Sequence, residues 1–383
     1  MKKILLLVVT AAAVLTACNG NKQSGNETAD STAVATEQAG AEQAYDLEAL
    51  AKVIDGAETV MGFSEGRAAV ENKDGKLGII DTKGNVIIPF EYNYSVFRYR
   101  DGVICCVKNT EGLWCYFDHD GKLLFSTTDG GASQFSEGFA CKYSSKSGKY
   151  YYLDMEGKHA FDGKEWEWAE DFSDGMALVF DGSGWGFIDT KGELVIPCKY
   201  DCPAERNPES FHEGLAPVLI DPAREHFGYI DKTGKQVFDR IVSTDNPFCD
   251  GLCAAYDRSQ DRWGYMDKTG KQVITLDADC FGDNFSEGLA MVRKLGNPIG
   301  YIDKTGKMVI KFEENQYKEA VSFHDGRARV WDGHAYGFID TTGKLVIPCE
   351  YTCYEGFCDG LVPVKKGDKW GYLDKDGKST FDY

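Results

Sequence analysis

The stretch Trp263-Gly264-Tyr265-Met266-Asp267-Lys268-Thr269-Gly270-Lys271 decides the fold, because variants of it recur about every 37 residues from residue 63 to the end of the chain. A recurrence at this period predicts an array of similar structural units. Each unit is too small to bury its apolar faces alone and does so by packing against its neighbours.

Two short patterns set the register of this repeat. The first is an aromatic residue, any residue, an acid and Gly, as in residues 285–288, and the second is Asp, two residues and Gly, as in residues 267–270. Both patterns occur nine times. In the second pattern, Asp accepts hydrogen bonds from its own turn and Gly takes positive φ without strain. We therefore expect structural turns at nine places, and the clearest five contain Asp189, Gly192, Asp231, Gly234, Asp267, Gly270, Asp303, Gly306, Asp340 and Gly343.

Short β-prone runs flank these turns. Residues 228–230 and 236–238 lie on either side of one Asp turn, and a third run such as 289–292 follows each aromatic-x-acid-Gly pattern. A Gly inside the first run suits close approach of a neighbouring backbone or aromatic ring. The predicted fold is all-β: a tandem array of about nine three-stranded antiparallel units. Propellers usually close with 4–8 blades of four strands, so we expect an open, twisted, solenoid-like array in preference to a closed β-propeller.

The first β-prone run carries a literal Trp-Gly pair at Trp185-Gly186, Trp263-Gly264 and Trp370-Gly371. Together with the nine in-phase turns, these pairs resemble the WG-containing repeat family, also called KWG repeats. The resemblance implies a repetitive β architecture. It implies no catalytic residues that could be assigned to this chain.

The amino terminus has the features of a bacterial lipoprotein signal. Residues 1–17 begin with Lys2-Lys3 and continue with an apolar run, and residues 15–18 resemble a lipobox that ends in Cys18. We expect lipid attachment at Cys18, which would hold the protein on the bacterial outer membrane or the cell surface. The periplasmic and extracellular faces both remain open.

Three further segments follow the signal. Residues 18–44 are polar and small, as in a disordered tether. Residues 45–62 form an expected N-terminal cap, with a short helix over 46–55 because its apolar residues have helical spacing, with Asp46 as N-cap and Gly56 beyond the end. Residues 63–383 form the repeat domain.

The formal net charge of −19 excludes one class of partner. Such a surface repels phosphate backbones, so we expect no nucleic acid partner and no membrane contact apart from the lipid anchor. Basic or cationic partners remain compatible with this charge.

The cysteines allow two interpretations. Cys198 and Cys202 occupy the same place in one repeat as Cys349 and Cys353 in another. They are small buried thiols or disulfides, and a bond within either pair requires a bend, because residues four apart on an extended strand are separated by roughly 13 Å. No histidine lies at ligand spacing and Cys-x-x-Cys is missing, so we expect no metal and no cofactor.

We predict no catalytic residue, because the sequence contains no P-loop, nucleophile elbow or zinc-protease helix. Trp166, Trp168 and Trp331 depart from the repeat pattern and are candidate binding residues. The expected function is a non-catalytic binding or scaffolding module for an envelope protein or glycan; a glycan-binding module would carry a row of exposed aromatic residues at repeat spacing. The alternative is an envelope hydrolase, which would need two buried acids with raised pKa outside the repeat positions.

Overall fold

The computed structural model describes residues 45–95, 98–108, 112–131, 133–201, 209–221, 226–238, 246–257 and 260–383. The expected signal segment (residues 1–17), Cys18, the expected tether (residues 18–44) and Cys202 lie outside the described residues.

The predicted N-terminal helix is present as α1, Leu47–Val53. Asp46 caps it, because its side chain accepts a hydrogen bond from the Ala49 N–H at 2.9 Å. Leu50 is completely buried and belongs to one apolar cluster with Phe63 and Tyr372, which come from the first and the last repeat. The helix therefore covers both ends of the repeat domain, and not the first repeat alone.

The rest of the described chain is almost entirely β-structure in short strands. In the first half the strands are β1 Thr59–Val60, β2 Arg67–Glu71, β3 Leu77–Asp81, β4 Val86–Tyr92, β5 Tyr94–Ser95, β6 Ile104–Val107, β7 Trp114–Phe117, β8 Leu123–Thr127, β9 Phe135–Ser136, β10 Phe139–Tyr143, β11 Tyr150–Leu153, β12 Trp168–Ser173, β13 Met176–Phe180, β14 Trp185–Asp189 and β15 Leu194–Tyr200. In the second half they are β16 Leu215–Asp221, β17 His226–Asp231, β18 Leu252–Asp257, β19 Arg262–Asp267, β20 Gln272–Thr275, β21 Cys280–Gly282, β22 Leu289–Lys294, β23 Asn297–Asp303, β24 Met308–Lys311, β25 Glu319–Ala320, β26 Arg327–Trp331, β27 Tyr336–Asp340, β28 Leu345–Tyr351, β29 Leu361–Lys366 and β30 Lys369–Asp374. Two 3₁₀ turns lie at Phe161–Gly163 and Thr380–Asp382.

Consecutive strands pair to form small antiparallel meanders. Within the described ranges, seven sheets have three or four strands, and the sheets β16–β17 and β29–β30 have two. The seven larger sheets are the blades of a β-propeller ring, which the two smaller sheets complete. Five sheets have four strands, because a short strand before each aromatic-x-acid-Gly pattern and a strand after each Asp turn both join the ladder.

Each sheet is joined to the next by the acid of the aromatic-x-acid-Gly pattern. That acid and the following Gly form a two-residue turn in which both have positive φ, 52° and 73° at Glu65 and Gly66. The acid side chain accepts a hydrogen bond from the Gly N–H of the neighbouring turn. The links at 2.7 to 2.9 Å are Glu65–Gly102, Asp101–Gly138, Glu137–Gly175, Glu213–Gly251, Asp250–Gly288, Glu287–Gly326, Asp325–Gly360 and Asp359–Gly66, and Asp174–Gly214 is the remaining link.

The link between Asp359 and Gly66 joins the last repeat to the first, and two further bonds cross the same seam. The Tyr372 hydroxyl donates to the Met61 carbonyl at 2.7 Å, as the Tyr265 hydroxyl donates to the Asp283 carbonyl between two interior sheets. The Trp370 indole N–H donates to the Glu58 carbonyl at 2.7 Å. The seam is therefore bonded like an interior interface.

The open, solenoid-like array of three-stranded units expected from the sequence is thus wrong, and the sheets close into a β-propeller ring. Closure has a simple physical cause. An open array would leave the apolar faces of its first and last sheets in water, whereas in the ring Phe63, Leu361 and Tyr372 bury them against each other. Because each sheet packs against the next at a similar angle, the last sheet comes to lie beside the first.

The glycine of the Trp-Gly pair has the role predicted from the sequence. A Cβ on Gly186 would lie 2.5 Å from the Ile196 carbonyl oxygen, and one on Gly264 would lie 2.1 Å from the Ile274 carbonyl oxygen. In both sheets the backbone of the adjacent strand lies very close to this position. Close approach of the backbone therefore excludes a side chain there.

Candidate binding surface

The ring has two unlike ends. In each four-stranded blade the acid-Gly turn joins the first strand to the second, and the Asp-x-x-Gly turn joins the third to the fourth. In an antiparallel meander both connections lie at the same end, which we call the turn face. The connections between the second and third strands, and those between sheets, lie at the opposite end, which we call the loop face.

The turn face carries the residues that the sequence singled out as structural. Asp267 Oδ1 accepts the N–H groups of Thr269 and Lys271 at 2.9 and 3.2 Å, and the Gly270 N–H donates to the Asp267 carbonyl. The other turns contain the same bonds, and Gly192, Gly234, Gly270, Gly306 and Gly343 all have positive φ. The turn carboxylates are thus occupied by backbone N–H groups.

The chain also enters the ring at the turn face. The Asp46 N–H donates to the Thr82 carbonyl at 3.0 Å, and Thr82 is part of an Asp-x-x-Gly turn. A Cβ on Gly84, in the same turn, would lie 2.8 Å from the Ala49 backbone. The N-terminal end of the described chain therefore lies at the turn face.

The loop face carries a row of aromatic side chains at the end of one sheet. Trp168 pairs with Phe180, Phe180 with Trp185, and Trp185 with Tyr200, so all four strands β12–β15 contribute one ring. The centroids of the Phe180 and Trp185 rings are 5.2 Å apart. Cross-strand partners project on the same side of a sheet, which aligns these rings.

Two tyrosines of the preceding sheet extend this row. Tyr143 and Tyr150 are cross-strand partners with ring centroids 5.2 Å apart, and the Tyr150 ring lies 4.8 Å from that of Trp168. We call the resulting set the aromatic row, and its members are Tyr143, Tyr150, Trp168, Phe180, Trp185 and Tyr200. Tyr143 is 46% exposed and Trp168 is 37% exposed, and the other four rings are half-buried.

Carboxylates border the aromatic row and are held by their neighbours. Glu165 accepts a hydrogen bond from the Ser147 hydroxyl at 3.0 Å, and Glu167 forms an ion pair with Lys149 at 2.9 Å. At the other side Asp181 accepts from the Ser183 hydroxyl at 2.7 Å. That hydrogen bond, followed by bonds from backbone N–H groups, lowers the pKa of Asp181, so it remains ionised.

The three tryptophans predicted to bind ligand have different environments. Trp168 lies in the aromatic row, and its indole N–H donates to Glu170 at 2.7 Å. Trp166 is only 7% exposed and is packed between two sheets, so it presents no ring to a ligand. Trp331 lies in a shorter row of another sheet, where it pairs with Tyr336, and Tyr336 pairs with Tyr351.

Sequence analysis missed the other five members of the aromatic row. The signal was available, because Tyr143 and Phe180 occupy the same repeat position, as do Tyr150 and Trp185. These positions end the second strand and begin the third. The glycan-binding hypothesis, with its exposed aromatic row at repeat spacing, stays a prediction.

Two acids outside the turns are partly withdrawn from water. Glu170 and Asp171 lie at a bulge of strand β12, where the pairing with β13 shifts between Ala169 and Phe172. Burial raises the pKa of Asp171 to about 6, with Arg100 opposing the shift and Glu170 adding to it. Burial also raises the pKa of Glu170.

The cysteine pair that the structure describes completely contains no disulfide. Cys349 and Cys353 are both thiols, with Cys353 buried and Cys349 half-buried. Burial raises the pKa of each to about 11. Cys198 is likewise a thiol. Among the residues that the structure describes, no group of three or more His, Cys, Asp and Glu side chains is placed to hold a metal ion.

The closed ring of small antiparallel meanders makes this chain a β-propeller repeat protein. The model of the WG-containing repeat matches residues 78–114, 185–201, 263–297, 299–330 and 336–370. These five stretches are matched as WG-containing repeats, which agrees with the resemblance found in the sequence.

Several solved structures resemble the chain at low sequence identity. The computationally designed Ika8 protein has a TM-score of 0.42 at 13% identity, covering 74% of this chain and 96% of that one. BamB from Moraxella catarrhalis has a TM-score of 0.35 at 15% identity, covering 71% and 93%. Dihydro-heme d1 dehydrogenase NirN has a TM-score of 0.40 at 14% identity, covering 88% and 73%. No curated protein sequence matches the chain significantly.

Within the described ranges of the chain, no helix has the length and apolar character needed to cross a membrane.

Proposed function

We propose that this protein is a lipid-anchored repeat protein of the bacterial cell envelope that binds a protein or glycan partner and catalyses no reaction. The aromatic row is the observation that carries the proposal. Aromatic side chains are enriched where proteins bind partners, because they bury a large apolar area at a small cost in conformational entropy. Six such rings lie side by side at the loop face, as ring contacts or as cross-strand partners, and together form one surface.

The chemistry of the turn carboxylates supports a non-catalytic role. Asp267 and its equivalents accept two backbone N–H groups within their own turns. The acids of the other pattern accept the N–H of the neighbouring turn, as Glu65 does from Gly102 at 2.8 Å. Both sets stabilise the fold in every repeat, whereas a catalytic role would require one or two distinctive positions.

A second candidate function is an envelope hydrolase that uses Glu170 and Asp171. Their raised pKa values and their position outside the turns are the features that such an enzyme would need. The two residues are adjacent on one bulged strand, and Glu170 is already bonded to the Trp168 indole. This arrangement favours the binding role, in which Glu170 orients Trp168.

The experiment is photo-crosslinking in intact cells with the full-length protein. The wild type is compared with Trp168→Ala, and Tyr354→Ala serves as a control because Tyr354 is 73% exposed and lies outside the row. We expect one major crosslinked partner that is lost in Trp168→Ala and retained in Tyr354→Ala. Hydrolysis of an envelope polymer by the purified protein that is abolished by Asp171→Asn would instead establish the second candidate.

A further inference from the structure

We infer that the aromatic row binds a cationic protein segment, one that presents lysine or arginine side chains to the exposed ring faces. The inference rests on the proposed binding function and names the chemistry of its partner. The face of an aromatic ring carries negative electrostatic potential and attracts an ammonium or guanidinium group that lies over it.

The exposed rings of the row are available for this contact. Tyr143 and Trp168 are 46% and 37% exposed, and the Tyr150 ring between them contacts both. Tryptophan is the aromatic residue that attracts cations most strongly. Its indole is fixed by the hydrogen bond to Glu170, which reduces the entropy lost on binding.

The chain's own cations already lie over rings at the repeat positions of this row. Lys199 Nζ lies 5.1 Å from the centroid of the Tyr200 ring, and Lys365 Nζ lies 5.8 Å from that of Trp370, which occupies the repeat position of Trp185. In the shorter row, the Arg329 guanidinium lies 4.8 Å from the Tyr336 ring. Rings at these repeat positions therefore accept a cation with the required geometry.

The carboxylates at the border favour the same partner. Glu165 and Asp181 are bonded to the hydroxyl groups of Ser147 and Ser183, which are neutral and leave the negative charges in place. A lysine or arginine that passes from one ring to the next would meet these carboxylates beside the row. The net charge of −19 adds long-range attraction for a basic partner and repels an anionic one.

A neutral glycan would contact the same rings, but its affinity would depend neither on the charge of the border carboxylates nor on the net charge of the protein. The two occupants are therefore separated by salt dependence and by substitutions that change charge without changing shape. For a cation, affinity falls as ionic strength rises, and Glu165→Gln with Asp181→Asn weakens binding.

The test measures fluorescence anisotropy with the full-length protein in detergent. The probes are a labelled peptide of alternating lysine and glycine, a matched peptide of glutamate and glycine, and a neutral oligosaccharide. The variants are Trp168→Leu, Trp168→Phe and the double variant Glu165→Gln/Asp181→Asn, with Tyr354→Leu as the control, and thermal unfolding verifies that each variant is folded.

We expect the lysine peptide to bind, and Trp168→Leu to weaken it about 3- to 10-fold, the range that corresponds to one cation–π contact. Trp168→Phe should restore part of the affinity, and Tyr354→Leu should leave it unchanged. Lysine-peptide binding that is equal in the wild type and Trp168→Leu would overturn the inference, because the net charge alone would then explain it.

Binding of the neutral oligosaccharide that is lost in Trp168→Leu, with no effect of the double variant, would also overturn the cationic assignment but leave the proposed binding function intact. Failure of the proposed function is recognised separately, by crosslinking in cells that does not change in Trp168→Ala.

Discussion

The Asp359 carboxylate accepts a hydrogen bond from the backbone N–H of Gly66 at 2.7 Å, although 293 positions separate the two residues. It is the same bond that Asp250 makes to Gly288 between two interior sheets. A second carboxylate reinforces the seam, because Glu355 binds the Gly62 N–H at 2.8 Å and the Arg98 guanidinium at 2.5 Å. The array has no free end among its described sheets.

Removal of the seam link should cost as much stability as removal of an interior link. We expect Asp359→Ala and the matched variant Asp250→Ala each to lower the free energy of unfolding by about 1 to 2 kcal/mol, because each leaves a part-buried glycine N–H without its charged acceptor. Urea unfolding measures both values. If Asp250→Ala lowered the free energy of unfolding and Asp359→Ala left it unchanged, the seam would not be formed.

The glycine of the Trp-Gly pair should not tolerate a methyl group. In Gly264→Ala the new Cβ would lie 2.1 Å from the Ile274 carbonyl oxygen, so we expect the sheet to separate locally and the free energy of unfolding to fall by about 2 to 3 kcal/mol. Gly131→Ala is the control, since a Cβ there has no atom within 4 Å. Thermal and urea unfolding of the two variants should differ clearly, and equal stabilities would contradict the close packing described for this strand.

The buried carboxyl of Asp171 should make stability depend on pH. Burial raises its pKa in the folded protein to about 6, above its ordinary value of about 3.9 in an unfolded chain. Between these two values the folded state binds more protons than the unfolded state, so this residue's contribution to stability declines as pH rises through that window. Asp171→Asn removes the effect.

We therefore expect the melting temperature of Asp171→Asn, relative to wild type, to increase between pH 4 and pH 7 and to level off above it. Differential scanning calorimetry across this range measures the difference, and the turn variant Asp267→Asn is the control, because hydrogen bonds from Thr269 lower the pKa of Asp267. A difference for Asp171→Asn that stays constant with pH would contradict the burial of this carboxyl.

Local features of this fold could be predicted from the sequence because each depends on residues that are near in the chain. The Asp267 turn, the Asp46 cap and the close approach at Gly264 all follow from the backbone preferences of Asp and Gly. The turn and the close approach are stabilised within one repeat and recur in other copies, and the cap is stabilised within its own helix.

Features that depend on neighbouring sheets could not be predicted in this way. The acid in the aromatic-x-acid-Gly pattern, for example Glu65, bonds to a residue in the next repeat, and nothing within its own repeat indicates that partner. Closure of the ring results from all of these hydrogen bonds between repeats together, and it depends on the angle at which neighbouring sheets pack. Trp166 was expected to be available for binding. Its burial could not be predicted, because it results from packing against a second sheet.

Closure of the ring is the central claim, and one distance tests it directly. Glu58 and Lys369 are exposed and flank the seam, where the Trp370 indole N–H donates to the Glu58 carbonyl at 2.7 Å. Spin labels on unnatural amino acids at positions 58 and 369 avoid the native cysteines. Electron paramagnetic resonance should give one narrow distance of roughly 10 to 20 Å between the labels, because neighbouring sheets pack about 10 Å apart. An open stack of the nine sheets would separate the labels by about 80 Å, and that distance would contradict the closed ring.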